Sequence, residues 1–412
     1  MSSQRKILNK KGSMTIYVLL FATSLISLVT LFIGAAKSEL VRSGAYELGN
    51  LWADSVLAEY DIPLYQEYGL FGYYGNEALV EDKLMFYCDY TFGDKGYARC
   101  NVEDVNIYDY SLAKPDIILE QIRIAAGEEL VSELVAAKDK TPIRYDDGSG
   151  KSGTPRVISN QSTLRSLPSY GRTDTGLLDR AQELIKSFTS IKDIVKKGTD
   201  EYLINQYIQK KFRNTYYLAE DHKGYFFSEQ EYIISGKASD EQNRKSIRNR
   251  IIAMREVMNG LYIESNYEMK EKILAAAAVL SAGYAPEEVA LVIAGAWALA
   301  ESVNDYELLI RGKPVPVLKT EESWAVSLDN VINNKESGCI DTGNTEGDDY
   351  NDYIVYLLCL LDDNTKLLRI MDLIQINMRY NYRSDFLLSE HYSGLEYSLK
   401  ANGELYEFKE KY

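Results

Sequence analysis

The chain has 412 residues, 46% of them hydrophobic, and a formal charge of −15. That composition excludes a disordered chain and leaves room for two or three domains. Arg5, Lys6, Lys10 and Lys11 lie in the first eleven residues with no acid, so the remainder is four charges more negative still; an acidic body of this kind argues against nucleic acid as a partner, because phosphates would be repelled.

From Gly12 to Ala36 no residue is charged. As a helix this run is long enough to cross a hydrocarbon layer of ~30 Å. The basic residues before it place the N-terminus in the cytoplasm and the body outside. The division read from the sequence is a cytoplasmic basic segment (1–12), a transmembrane helix (13–36) and an extracellular helical stem (37–62). The helical pattern continues past Lys37, with Leu40, Gly44, Leu48 and Leu51 recurring at spacings of three and four to make one packing face. Pro63 ends it. That face rests on the chain's own domain or on neighbouring stems. Three fates are open for the apolar run: retention as an anchor, cleavage after Ala36 by signal peptidase with release of the body, or a pilin-like stem.

Residues 63–137 form the N-terminal part of the exported domain. Within it, "EALVEDKLMFYCDYTFGD" reads as a short helix and "YARCNVEDVNIYDYSLA" as a half-buried strand. "KPDIILEQIRIAAGEELVSELVAA" reads as a helix opened by Pro115 and Asp116. Residues 138–176 are rich in Gly, Ser, Thr and Pro without apolar periodicity, and read as a flexible linker or insertion.

The main exported α+β domain spans 177–412. "LLDRAQELIKSFTSIKDIVKK" and "DEYLINQYIQKKF" are amphipathic helices, and "GYFFSEQEYIIS" is the foremost strand candidate, aromatic and β-branched. Three helices follow over 239–310. The second and third, "YEMKEKILAAAAVLSAG" and "PEEVALVIAGAWALAESVNDYELLI", are the most apolar and are expected to form the core. "DYNDYIVYLLCLLDDNTKLLRIMDLIQINMRYN" reads as a helical pair broken at Asp362–Asn364, and the C-terminal tail closes a small sheet. The fold class is therefore α+β and mostly helical: a long N-terminal transmembrane helix running into an exported helical domain with a small antiparallel sheet.

Chemistry-bearing patterns are sparse. His222 and His391 are far apart, and the four cysteines do not have the spacing of a ribbon-type zinc site. In an oxidising compartment Cys88–Cys100 and Cys339–Cys359 are the neighbouring pairs, though spacing leaves the pairing open. Asp341, Asp348, Asp349 and Asp352 in "CIDTGNTEGDDYNDY" carry oxygen ligands suited to calcium, without the spacing of an EF-hand, and equally suit helix capping. Glu301 on an apolar helix is either a general acid or half of a buried ion pair with Arg311 or Arg369. Glu231, Ser235 and Lys237 lack a nucleophile elbow, and no motif for a phosphate, dinucleotide or metal cofactor is present. The 33 tyrosines suit a contact surface or the rim of a core.

The Lys-Lys-Gly ahead of an uncharged helix that continues as "ELGNLWADSVLAEYD" resembles the N-terminus of Tad-type pseudopilins, the TadE/TadG-like proteins of tight-adherence (Flp) pili. "LAEYDIPLYQEYGLFGYYG", "EQEYIISGKASDEQN" and "RIMDLIQINMR" are similar to an uncharacterised family of Gram-positive membrane proteins associated with Tad machinery. The resemblance implies processing between Gly12 and Ser13, and partners that are other pilus components or like subunits. Tyr17 stands where pilins usually carry a glutamate. The implied role is a membrane-anchored accessory or minor pseudopilin. The rivals from the residues alone are a membrane-tethered enzyme acting on wall or extracellular polymer, and a protein released by signal peptidase.

Overall fold

The computed structural model describes residues 11–93, 99–135, 156–172, 200–216, 223–282, 284–334 and 338–412. The protein is α+β and mostly helical, with a long apolar N-terminal helix and small antiparallel sheets. It divides into two compact units, and the division is not linear in sequence. The first contains residues up to 61, 71–111 and 389–412; the second contains 62–70 and 112–388. The last 24 residues thus belong with the stem, not with the main domain as the linear reading had it.

In the first unit, α1 (Lys11–Leu57) runs unbroken for 47 residues, or ~70 Å at the helical rise. From Met14 to Leu40 every side chain is exposed. Beyond that, one face is buried by Val41, Ala45, Trp52, Ala53 and Val56. The stem ends at Leu57, five residues earlier than expected, and Pro63 lies in the first turn of α2 (Ile62–Tyr68), where its fixed φ suits a helix start.

The stem rests on a three-stranded antiparallel sheet. β2 (Cys100–Asn106) pairs with β4 (Gly394–Ala401), which pairs with β5 (Glu404–Lys411). The register sets Val102 opposite Leu399 and Leu399 opposite Tyr406, all three buried. β1 (Tyr73–Tyr74) and β3 (His391–Tyr392) form a second, two-residue ladder, and α3 (Glu77–Cys88) packs beside β2 and α1. Gly49 is where helix and sheet meet most closely. A Cβ there would lie 2.2 Å from the Phe408 ring, and the Tyr397 hydroxyl donates to the Gly49 carbonyl at 2.8 Å.

In the second unit the central element is α13 (Asp363–Asn381), with thirteen consecutive buried residues from Lys366 to Met378. Around it lie α4 (Pro115–Val135), α5 (Gln161–Arg165), α6 (Asp200–Lys211), α7 (Glu229–Ser235), α8 (Asp240–Ser265) and α12 (Tyr350–Cys359). α9 (Tyr267–Leu280), α10 (Pro286–Leu309) and the short α11 (Leu328–Ile332) surround a separate small cluster of Ile273, Ala277, Ile293 and Trp297.

Three expectations are corrected. "EQEYIIS" is helix, not strand. All seven of its residues are buried, and its carboxylates accept backbone N–H groups from the segment after α6, so tertiary context overrides β-propensity. Of the most apolar helices, α10 enters the main core only through its last turns, with Tyr306, Leu308 and Leu309, while α9 and the first part of α10 build a separate small cluster and leave much of their apolar surface facing solvent. Of the expected linker, residues 156–172 are folded: Ile158 and Leu167 are buried and the Ser169 N–H donates to Asp372 at 3.0 Å. The amphipathic helix expected over 177–197 lies outside the described residues.

Gly49→Ala is expected to overpack the stem–sheet contact and lower stability by about 1–3 kcal/mol, with partial recovery when Phe408→Leu is added. Thermal unfolding of the full chain in detergent measures both, and equal stability of Gly49→Ala and wild type would contradict the close approach.

Candidate functional site

Gly12 lies in the first turn of α1, with Ser13 next along the same helix. Leu40 and Leu51 are 56% and 55% exposed, whereas Gly44 and Leu48 are half-buried against the first unit's own side chains. Gly44 meets Phe92, its Cβ position 3.3 Å from the ring. The four residues are therefore not the face that packs on the chain's own sheet. The face toward the sheet is rotated by one position, through Val41, Ala45, Gly49 and Trp52, and the leucines on either side of it stay open.

Cys88 and Cys100 form a disulfide joining α3 to β2. Cys339 and Cys359 are not paired. Cys359 accepts from Asn205 at 3.5 Å, and burial pushes its thiol up to about 11; Cys339 lines a surface groove elsewhere.

The acidic loop is occupied by structural bonds. Asp341 accepts from the Gly343 N–H at 2.8 Å and lies 3.3 Å from Lys313. Asp348 accepts from the Tyr356 hydroxyl, and its backbone pairs with Val315. Asp349 and Asp352 form the capping box of α12. Among the described residues no three His, Cys, Asp or Glu side chains converge as a group that could hold a metal ion.

Glu301 has a different partner from either arginine expected. Its carboxylate takes a 2.6 Å bond from Lys319 Nζ and further bonds from the Ala325 and Val326 N–H groups. Lys319 also lies 2.6 Å from Asp305, which is 2.9 Å from Arg255 Nε. Arg255 reaches the Pro316 and Val317 carbonyls, Asn259 and the Tyr353 hydroxyl. Burial opposes ionisation of Asp305, but Arg255 and Lys319 together hold its carboxyl below the usual range. The four charges are almost entirely shielded from solvent. This is a closed clamp tying α8 and α10 to residues 316–326, with no face open to a substrate.

A second buried network centres on α7. Glu229 accepts from the Arg213 N–H and from Asn377 Nδ2 at 2.6 Å; Glu231 accepts from the Thr215 N–H and the Tyr350 hydroxyl. Tyr232 donates to Asp372 at 2.9 Å, and Ser235 donates to Asn243 at 2.7 Å. Gly236 ends the helix at φ +63°, a conformation that favours glycine, and leaves room for Arg369, which donates to the Ile233 and Ile234 carbonyls. Lys237 contributes its backbone N–H to Asn243. Burial is the main cause that pushes Glu231 up to about 7 and Asp372 up to about 6. Ser235 has no base beside it, and its hydroxyl is committed to Asn243 and the Glu231 carbonyl.

Sequence reasoning missed Lys319, Asp305 and Arg255. The signal for Arg255 was present: it falls at helical spacing from Ile251, Ile252 and Met258 on the apolar face of α8, where a charge needs a buried partner. Lys319 lies in an extended segment with no periodicity to mark it.

These features define a class: a helical body stabilised by closed networks of buried charge, on a chain that begins with a helix long and apolar enough to cross a bilayer. The chain belongs to DUF5702, a family of unknown function, whose model matches residues 152–403. The match covers both buried networks and all of β4, and it begins well after α1. No curated protein and no solved structure matches the chain.

Lys319→Met leaves Glu301 and Asp305 with one cation fewer in a dry site, and is expected to cost about 3–5 kcal/mol. Chemical denaturation of the full chain measures it; a cost under 1 kcal/mol would place the clamp in solvent. Glu231 keeps its proton in the folded state from its ordinary value near 4.5 up to about 7, while the unfolded chain loses it. Its contribution is therefore complete below pH 4.5, falls by about 3 kcal/mol as pH rises to 7, and is flat above. Glu231→Gln should remove that part of the slope in a pH series of denaturation midpoints, and an unchanged slope would contradict the assignment.

Proposed function

We propose that this chain is a single-pass membrane-anchored protein, N-terminus in the cytoplasm and body outside, that serves as an accessory or minor pseudopilin-like component of a Tad-type pilus or secretion apparatus and works by assembly, not catalysis. The observation that carries this reading is the continuity of α1. The apolar half is exposed throughout and passes without a break into a stem held by its own sheet, so a force or position in the membrane half is transmitted rigidly to the first unit.

Three further features support it. Four basic residues, Arg5, Lys6, Lys10 and Lys11, precede the apolar run with no acid among them, whereas Lys37 and Arg42 after it are interleaved with Glu39. The Cys88–Cys100 bond fits an oxidising compartment outside the cytoplasm. Leu40 and Leu51, exposed beside the buried stem face, offer lateral contact to a neighbouring helix. The enzyme reading finds less support, since Glu301 and the acidic loop are both committed to structural bonds.

Mass spectrometry of the mature N-terminus tests the anchoring. A start at Ser13 or an intact start, recovered in the membrane fraction, is the expected outcome. A start at Lys37 with the body in the medium would overturn it. Leu40→Asp combined with Leu51→Asp is expected to reduce co-purification with pilus-machinery components by about tenfold, the loss that follows from removing one buried hot spot, without lowering the amount of folded chain.

A further inference from the structure

The outer face of α10 is unusual for an exposed helix. Leu291 is 76% exposed and Val292 72%, with Leu299 two turns further on at 42%. At 100° per residue these three, with Gly295 and Ala296, fall on one face opposite the buried Ile293, Trp297 and Glu301. Tyr284, just before the helix, is 86% exposed and Val279, near the end of α9, 81%. Together these residues expose roughly 500 Å² of apolar surface, at the upper end of the largest patch on a typical monomer and over half of the ~800 Å² that one partner brings to a standard interface.

Gly295 sits at the centre of this face, and nothing lies within 4 Å of where its Cβ would be. The described residues therefore give no packing reason for it, and a glycine inside a helix costs about 1 kcal/mol relative to alanine. A glycine retained there suits the close approach of another backbone. Beside the same helix lies an open groove of about 490 Å³, floored by Leu299, Ala300, Val303, Val326 and Val331 and rimmed by polar groups including Glu307 and Asn330.

We infer that this face is self-complementary and pairs two copies of the chain, with α10 of one crossing α10 of the other antiparallel at Gly295. The arrangement follows from residue positions. A two-fold axis through Gly295 sets Leu291 of one copy opposite Leu299 of the other. It carries Tyr284 to the level of Tyr306, over the Val303–Glu307 end of the groove. The protruding apolar end of each hairpin thus fills the groove of its mate, and the Tyr284 hydroxyl meets the polar rim. Such an isologous contact closes on itself as a dimer. Glu287 and Glu288, between Tyr284 and Leu291, disfavour burial of the same face in a lipid layer. The pairing does not depend on the stem contacts proposed above.

The test uses the full chain in detergent and in nanodiscs, with Cys339→Ser to clear the groove of a native thiol. In that background Leu291→Cys plus Leu299→Cys should give an intermolecular disulfide in most of the chain under mild oxidation, because the two positions are ~12 Å apart within one helix and cannot bridge internally. Either cysteine alone should give at least tenfold less. Gly295→Leu is expected to lower the crosslinked fraction about tenfold while leaving the far-UV spectrum unchanged and the fold of the single chain no less stable, since its side chain points into open space and leucine is the better helix former. Leu40→Asp with Leu51→Asp should leave the crosslink intact, which separates this dimer from any stem contact. Equal crosslinking by the single variants, none by the double, or a crosslink insensitive to Gly295→Leu would overturn the inference. So would quenching of a bimane at Tyr284→Cys by brominated lipid without crosslinking, which would assign the face to the bilayer.

Discussion

Burying an unpaired charge in a protein interior costs several kcal/mol, and the second unit buries many at once. Glu229, Glu231, Asp240, Arg255, Glu301, Asp305, Lys366 and Asp372 are nearly or fully excluded from solvent. Each is tolerable only in one geometry, where donors and acceptors arrive from distant parts of the chain. Asp240 shows how far this reaches. Its carboxylate accepts from the Ser228 N–H and hydroxyl and from the Arg156 N–H, so one side chain ties the start of α7, the start of α8 and the segment before α5 together. Hydrophobic packing around α13 supplies most of the favourable free energy. The polar networks determine which packing is allowed, because a shifted register would strand a charge without its partner.

The same constraint separates structural acids from catalytic ones. A general acid needs a perturbed carboxyl and a route to substrate. Glu231 meets the first condition, yet it is fully buried beneath Tyr350 and the backbone of Thr215. Glu301 is clamped by a cation and two backbone N–H groups, which leaves its oxygens committed to bonds within the fold. The raised carboxyls of Glu231 and Asp372 therefore report burial.

The extent to which the fold could be read from the sequence depended on where each signal resides. The apolar run of α1, the Pro115 start of α4 and the caps of α12 and α13 are local, encoded within a few residues of where they act, and they stand where periodicity and capping chemistry put them. The stem face was misread by one position, since Leu40, Gly44 and Leu48 have the same helical spacing as Val41, Ala45 and Gly49; only the sheet that arrives more than 300 residues later chooses between the two. "EQEYIIS" was misread for a related reason. Its aromatic and β-branched residues favour a strand locally, but two glutamates at alternate positions need partners from residues 213–215, 350 and 377, and those reach both of them when the segment is a helix. The Glu301–Lys319–Asp305–Arg255 clamp was half legible: an acid and a base on apolar helical faces announce a buried pair without naming the mate.

What remains on the surface then becomes informative. In a body that takes such care to pair its buried charges, a broad apolar face left uncovered on α10 is a departure from the rule the rest of the unit obeys. Internal packing does not use it: Ile293 and Trp297 already fill the inward side, and the Trp297 indole donates to the Val326 carbonyl at 2.7 Å. Leu291 and Val292 could be polar without disturbing a buried contact among the described residues. Their hydrophobicity carries a solubility cost that only a second surface offsets, and a groove of matching polarity lies along the same helix. Function in this protein is thus better sought in what its exposed helices meet than in what its buried acids could catalyse.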